Sequence, residues 1–197
     1  MTEIKYELPN LSDLNQLSHI FMYNRFFTGI GPSDYEAYAL FMNYVRLVDI
    51  LLREYENGRK ELMNFLAAKN ESLSTHLVII ASGHFEMCIS TLKRVSTYLK
   101  RIRGHPKVAQ ALKDLLPRNL SVLDGRSEKL ITDMRHAIEH LENRIQKGEI
   151  TSGQSLCLVT IADGLELGRH KMLFSDLARW LKEVHGCSKI IAQYRET

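Results

Sequence analysis

The stretch from Ser127 to Lys147 reads SEKLITDMRHAIEHLENRIQK and carries the clearest helical pattern in the chain. Its apolar residues recur at steps of three and four, which places them on one stripe of a helix. They are Leu130, Met134, Ala137, Ile138, Leu141 and Ile145. Asp124 or Ser127 is suited to cap the start, and Gly148 to end it. The pattern predicts one amphipathic helix whose apolar stripe faces a core.

The opposite face of this helix carries Arg135, His136, Glu139 and His140. One interpretation is structural: Arg135 and Glu139 stand one turn apart and form an ordinary surface ion pair, and both histidines are merely exposed. A second is a zinc site, because His136 to His140 has the H-x-x-E-H order of one class of zinc proteases. Zinc needs a third protein ligand, for which the candidates are Glu166, Glu183 and Glu196. Nothing distinguishes these three, and we expect no metal.

The helical spacing of apolar residues is also present in the stretches that precede this helix. The capping box Ser33-Asp-Tyr-Glu36 begins a helix that Gly58 is expected to kink. The longest helix is predicted over Leu73 to Arg103, where apolar residues alternate by three and four in a seam suited to antiparallel packing. Within it, Gly83 predicts either a close approach of another helix or room for a ligand.

Two β-rich runs joined by Asp163-Gly164 predict a small β-hairpin from Ser155 to Met172. A last helix is expected to begin near Phe174 and to stop near Gly186. The predicted fold class is therefore all-α: a helical bundle of four to five main helices with a small β-hairpin before the last helix. Residues 1–31 are expected to be an N-terminal helical extension, and residues 32–197 to be the helical domain.

The amino-acid composition limits the class of protein to which the chain can belong. With 197 residues, 45% hydrophobic and 25% charged, the chain is ordinary for a globular protein. There is no apolar run long enough to span a bilayer, and the first residues lack the pattern of a secretory signal, so we expect no membrane partner and a cytoplasmic location. Three widely spaced cysteines fit neither a disulfide framework nor a CxxC metal site, and we expect reduced thiols.

Two features are typical of nucleic-acid binding, and each has an ordinary alternative. The aromatic run from Phe21 to Phe27 could stack bases, but docking on the body or on a second subunit is the preferred interpretation. From Met87 to Lys113 there are seven Lys and Arg residues and no Asp or Glu. Such a run is either a solvated face or a source of phosphate contacts. The residues predicted to contact RNA are Lys93, Arg94, Lys100, Arg101, Arg103 and Lys107.

The segment Arg135-His-Ala-Ile-Glu-His140 is an arginine followed after four residues by a histidine. It lies on a long helix of an all-helical chain, before a predicted β-hairpin and a closing helix. In these respects the stretch from Pro32 to Gly186 resembles the HEPN superfamily, whose signature is R-x(4-6)-H. Where that family most often has Asn directly after the arginine, this chain has His136.

The resemblance implies a metal-independent endoribonuclease without a cofactor. The predicted catalytic residues are Arg135, His140, His136 and Glu139. In active members of the family the motif helices of two subunits meet, so it also implies a homodimer with a composite cleft. A toxin–antitoxin or defence role with an antitoxin-like protein partner is a further expectation. The alternative is a non-catalytic module that binds RNA or nucleotide, and His136 in the usual Asn position favours it.

The chemistry agrees with these residue types. Metal-free RNA cleavage requires deprotonation of a 2′-hydroxyl, protonation of the leaving 5′-oxygen and a cation beside the phosphorane. Histidine titrates near neutrality and suits both proton transfers. Arginine stays charged and presents a fork of donors to phosphate oxygens. The helix thus predicts a ribonuclease site around Arg135 and His140, with His136 as a further acid or base.

Overall fold

The computed structural model describes residues 5–29, 31–68, 74–148 and 157–195. Within these ranges the chain forms seven α-helices: α1 (Ser18–Thr28), α2 (Tyr35–Ala67), α3 (Thr75–Gly104), α4 (Gln110–Leu115), α5 (Gly125–Glu139), α6 (Leu141–Gln146) and α7 (Phe174–Gln193). A 3-10 turn covers Ser121–Leu123, and three short strands precede α7: β1 (Val159–Ile161), β2 (Gly164–Leu167) and β3 (His170–Leu173). The predicted fold class, all-α with a small β element before the last helix, is confirmed. No helix within the described ranges has the length and hydropathy needed to cross a membrane.

The two longest helices, α2 and α3, form the centre of the bundle. The two helices run antiparallel. Glu54 in α2 contacts His84 in the first half of α3, whereas Asp34 at the start of α2 contacts Lys107 just beyond the end of α3. The predicted seam of α3 is buried throughout: Ala81, Phe85, Cys88, Leu92, Val95, Leu99 and Ile102. The start of α2 differs from the prediction, because Asp34 rather than Ser33 caps it by accepting hydrogen bonds from the amides of Glu36 and Ala37.

Gly58 and Gly83 have roles opposite to those predicted. Gly58 does not interrupt α2, and it is the point of close approach: a Cβ there would lie 2.9 Å from Cζ of Phe85 on α3. Gly83 is exposed, and a Cβ built on it would meet nothing within 4 Å. Close packing of α2 on α3 therefore requires a glycine at position 58 and not at position 83. The room for a ligand that was expected beside Gly83 is open solvent.

The last helix and the N-terminal segment cover this pair. Helix α7 continues past Gly186, where it was expected to stop, because its buried face extends through Cys187, Ile191 and Ala192. The hydroxyl of Tyr44 on α2 donates to the carbonyl of Val184, 2.9 Å away.

The N-terminal segment is attached through a buried carboxylate. Asp49 of α2 accepts hydrogen bonds from the amides of Leu17 and Ser18 at 2.8–3.1 Å, which satisfies the start of α1 from outside that helix. Phe21 is buried and stacks on Tyr38. At the end of the aromatic run, Phe27 is 74% exposed, so this run packs on the body only at its beginning.

The amphipathic stretch around residue 134 forms a helix, but in two pieces. Helix α5 ends at Glu139 and α6 begins at Leu141, while His140 between them has φ −114° and ψ 17°. The amide of His140 still donates to the carbonyl of His136 at 3.0 Å, so the helical hydrogen bonds continue through a local irregularity. The predicted apolar stripe is less buried along α6, because Ile145 near the end of that helix is 52% exposed.

The β element is a three-stranded antiparallel meander in the order β1-β2-β3, rather than the two-stranded hairpin that was predicted. Ser155 and Leu156, at the start of the predicted hairpin, lie outside the described residues. The second run is divided because Gly168 takes a positive φ of 61° and, with Arg169, makes a two-residue turn between the paired residues Leu167 and His170. Arg169 of this turn and His170 at the start of β3 line a pocket together with residues of α5 and α6.

The packing at Gly58 gives a direct stability test. Gly58→Ala should lower the free energy of unfolding by about 1–3 kcal/mol, because the buried Phe85 ring is held between Tyr55 and Phe174 and cannot move aside. Gly83→Ala is the matched control and should raise it by up to about 1 kcal/mol, since alanine favours helix and the space is open. Urea unfolding followed by circular dichroism measures both; equal shifts in the two variants would contradict this account.

Candidate functional site

A concave surface pocket of about 570 Å3 lies where α5, α6 and the β2–β3 turn meet. We call it the histidine pocket, and the residues that line it are Lys129, Asp133, His136, Ala137, His140, Arg144, Arg169 and His170. Three histidines and three permanent cations thus share one opening with a single carboxylate. Such a concentration of titratable and cationic groups is the main chemical feature of the described surface.

One face of the broken helix supplies most of the pocket. Lys129, Asp133, His136, His140 and Arg144 follow one another at steps of three or four, which aligns them along the helix. The rings of His136 and His140 lie 6.0 Å apart between centroids, at 70° to each other. The opposite face of α5 is fixed in the core by Ile131 and Met134, so the polar face has a defined direction.

The β2–β3 turn supplies the remaining groups. Arg169 lies in the turn itself and His170 is the first residue of β3. The Arg144 guanidinium packs against the turn, because a Cβ at Gly168 would be 3.7 Å from its Nη1. The turn therefore closes the pocket on the side opposite α5 and brings a third imidazole to it.

The cations and the burial of His170 determine the electrostatics of the pocket. Burial lowers the pKa of His170, the Asp133 carboxylate partly opposes this, and Arg169, Arg144 and Lys129 reinforce it. The pKa of Asp133 is lowered in turn, chiefly by its hydrogen bond from Lys129, whose Nζ lies 2.8 Å from Oδ2. The lowered pKa favours the neutral form of His170, and the surrounding cations favour anions in the pocket.

Arg135 does not line the histidine pocket. Its Nε lies 2.8 Å from Oε1 of Glu139, one turn further along α5. Arg135 and His140 are five residues apart, which separates them by about 140° around a helix. Of the four predicted catalytic residues, the structure brings His136 and His140 together and places Arg135 with Glu139 in an ion pair outside the pocket.

The basic stretch of α3 receives counter-charges from other elements. The Glu128 carboxylate of α5 lies 2.6 Å from Nζ of Lys100 and 3.5 Å from Nζ of Lys93, and the hydrogen bond from Lys100 is the main reason that the pKa of Glu128 is lowered. Lys107 pairs with Asp34 at 2.8 Å. Although the stretch itself contains no Asp or Glu, these three lysines have counter-charges from other elements.

The predicted RNA-binding arginines lie apart from the histidine pocket. Arg103 donates a hydrogen bond to the carbonyl of Pro117. Arg94 and Arg101 are exposed, and neither forms an ion pair with an acidic group of the described residues. Arg101 lines a second, mainly apolar pocket of about 610 Å3 together with Tyr35 and Tyr98. These arginines remain predicted contacts for RNA at a distance from the histidines.

The zinc interpretation has no complete ligand set among the described residues. Glu183 is engaged elsewhere, since it accepts hydrogen bonds from Ser121 Oγ and from the Val122 amide. Glu166 does not line the histidine pocket, and Glu196 lies outside the described residues. Two arginines and a lysine around the histidines also disfavour a cation there.

One other group has metal-ligand spacing within the described ranges: Asp34, Glu36 and His105. Its carboxylates already have cationic or potentially cationic neighbours. Lys107 holds Asp34, and His105 Nε2 lies 3.4 Å from Oε2 of Glu36. The group therefore serves as a set of surface charge pairs.

Comparison of the chain with protein families, with curated proteins and with solved structures finds no match. The HEPN resemblance thus rests on the residues quoted for it and stays a prediction. Any function has to be argued from the chemistry of the histidine pocket itself.

Sequence reasoning missed five of the residues that line this pocket. Lys129, Asp133 and Arg144 carry a detectable signal, because they continue the helical face of His136 and His140 at steps of three and four. Arg169 and His170 carry none, since their position depends on a turn that divides the predicted second strand. The pocket therefore includes the predicted residues His136 and His140 but not the predicted cation Arg135.

The altered pKa of His170 is directly measurable. In proton NMR titrations, the His170 ring signals should have a midpoint below the ordinary value of 6.5. Asp133→Asn should lower the midpoint further, because the carboxylate favours the imidazolium. Arg144→Gln is the opposite control and should raise it. A wild-type midpoint at or above 6.5 would contradict the described environment of His170.

Proposed function

We propose that this chain is a metal-independent endoribonuclease that cleaves RNA in the histidine pocket. The observation that carries the proposal is the convergence of His136, His140 and His170 with Lys129, Arg144 and Arg169 in one opening. The two kinds of group required for RNA transesterification, proton-transfer groups and cations for the phosphate, therefore stand together. The HEPN resemblance implies the same reaction, and its motif shares His136 and His140 with the pocket.

The pocket offers a group for each step of the reaction. Imidazoles can remove the 2′-hydroxyl proton and protonate the leaving oxygen, and each such transfer is typically worth about 10²–10⁴ in rate. Arg144 and Arg169 can hold the phosphate oxygens as negative charge develops on them. Because the pocket is open, a single-stranded substrate can enter it without a large rearrangement of the fold.

The motif arginine has a different place in this proposal. Arg135 is held by Glu139, and Arg144 and Arg169 take the role that the family assigns to it. If two copies of the chain associate through this face, Arg135 of one copy can approach the pocket of the other, as the family arrangement requires. The homodimer and an antitoxin-like protein partner remain predictions from the resemblance.

The second candidate function is a module that binds RNA or nucleotide without cleaving it. The Arg135–Glu139 ion pair favours this candidate, because the family's catalytic arginine is neutralised within its own helix. The exposed Arg94 and Arg101 would add phosphate contacts in either case.

Cleavage is tested with purified protein and end-labelled single-stranded RNA in EDTA. The proposal expects products with 2′,3′-cyclic phosphate and 5′-hydroxyl ends, and unchanged rates when the chelator is varied. RNA that is retained on the protein but stays intact would instead support the binding module. Loss of cleavage in EDTA that added zinc restores would favour the metal interpretation.

The assignment of residues is tested by variants on the same helix. His140→Ala should lower the cleavage rate by at least about 10²-fold while leaving RNA affinity nearly unchanged, because proton transfer acts in the transition state. Arg144→Ala should weaken both affinity and rate, whereas Arg135→Ala should change the rate little. His19→Ala, an exposed histidine on α1, is the control for nonspecific effects. If Arg135→Ala abolishes cleavage and Arg144→Ala does not, the family arrangement across two copies applies instead.

A further inference from the structure

The histidine pocket draws its imidazoles from two different parts of one chain. His136 and His140 belong to the motif helix, whereas His170 comes from β3, on the other side of the β2–β3 turn. The HEPN resemblance implies that the second proton-transfer group comes from a second subunit. In this chain, a second such group is already present in the same pocket.

We propose that His170 is the general base of the reaction and His140 the general acid, so that one copy of the chain holds a complete site. This inference rests on the proposed ribonuclease function. It assigns a catalytic role to a residue outside the R-x4-H motif and removes the need for a composite cleft between subunits.

The surroundings of His170 suit a base. A base must be neutral before the reaction, and burial together with cations from three elements keeps its pKa low: Lys129 of α5, Arg144 of α6 and Arg169 of the turn. Asp133 of α5 opposes them only in part. On the remaining sides, Lys171 next to it pairs with Asp163 at 2.8 Å, so that charge is already compensated. His136 and His140 complete the set of titratable groups that face it.

The position of His140 suits an acid. It lies at the exposed junction of α5 and α6, where water can reprotonate it after each turnover. Its ring is separated from that of His136 by 6.0 Å, so His136 can contact the substrate beside it without occupying the same position. His140 and His170 line the same pocket, His140 from the junction of α5 and α6 and His170 from the start of β3.

The step is balanced within this set of groups. Neutral His170 takes the proton of the 2′-hydroxyl, and the 2′-oxygen forms a bond to phosphorus. The bond from phosphorus to the 5′-oxygen breaks, and that oxygen takes a proton from the His140 imidazolium. The products are a 2′,3′-cyclic phosphate and a 5′-hydroxyl, and exchange with water returns both histidines to their starting states.

The first test is the pH profile of single-turnover RNA cleavage. Wild type should show a bell, with the acidic limb reporting the base and the alkaline limb the acid. His170→Asn should cut the rate by at least about 10²-fold and remove the acidic limb. Asp133→Asn should keep both limbs but move the acidic one to lower pH, which provides a second measurement if His170→Asn folds poorly. An acidic limb that stays in place in both variants overturns the assignment.

The second test asks whether one chain is sufficient. His170→Asn and His140→Ala are mixed, allowed to exchange subunits and assayed on the same RNA. Each chain lacks one group, so a site within one chain predicts no recovery of activity. A composite site between copies predicts that a substantial fraction of wild-type activity returns, and this result would overturn the proposal.

The outcomes separate this inference from the function on which it rests. If wild type leaves RNA intact in EDTA, the ribonuclease proposal fails and the assignment of His170 fails with it. If wild type cleaves RNA and His170→Asn cleaves it at the same rate with the same pH profile, only the present inference fails. Thermal unfolding of each variant shows whether a lost rate reflects a lost fold.

Discussion

The contact of Phe85 with the bare backbone of Gly58 is the constraint on which the rest of the structure depends. It lets α2 and α3 approach closely, since any Cβ at Gly58 would overlap the ring. The same ring packs against Tyr55 at 6.1 Å and against Phe174 at 5.5 Å between centroids. Phe174 begins α7, and its amide donates to the Asp163 carbonyl between β1 and β2. The central contact thus also fixes where the β-meander stands.

The histidine pocket follows from that arrangement, because two elements anchored separately on one core meet there. Helix α5 packs on α3 through Ile131 and Met134, and the meander is held at the start of α7. The residues that form these two anchors are different from the charged and histidine residues that line the pocket. The charged and histidine residues of the pocket therefore lie on elements that are anchored by other residues.

Most of the helical fold could be predicted from the sequence, because apolar period is a local property that survives in the tertiary structure, as the seven buried seam residues of α3 illustrate. The features that could not be predicted were interactions with residues distant in sequence. Glu128 supplies the counter-charge of Lys93 and Lys100 from 28 or more residues away, and no pattern within α3 could indicate it. The division of the second β run at Gly168 was missed for a related reason: one glycine in an apolar run suggests a bulge as readily as a turn.

The positions of the charged residues in and beside the pocket are consistent with the way in which this chain differs from the HEPN pattern. Arg135 is compensated by Glu139, while Arg144 and Arg169 line the histidine pocket. A cation from a second copy would add to a surrounding that already has three, and its approach would be opposed by them. His136, in the usual position of Asn, lines the pocket itself. The broken helix that resembles the family's motif thus contributes His136 and His140 to the histidine pocket together with Lys129 and Arg144, while Arg169 and His170 come from the β2–β3 turn and β3.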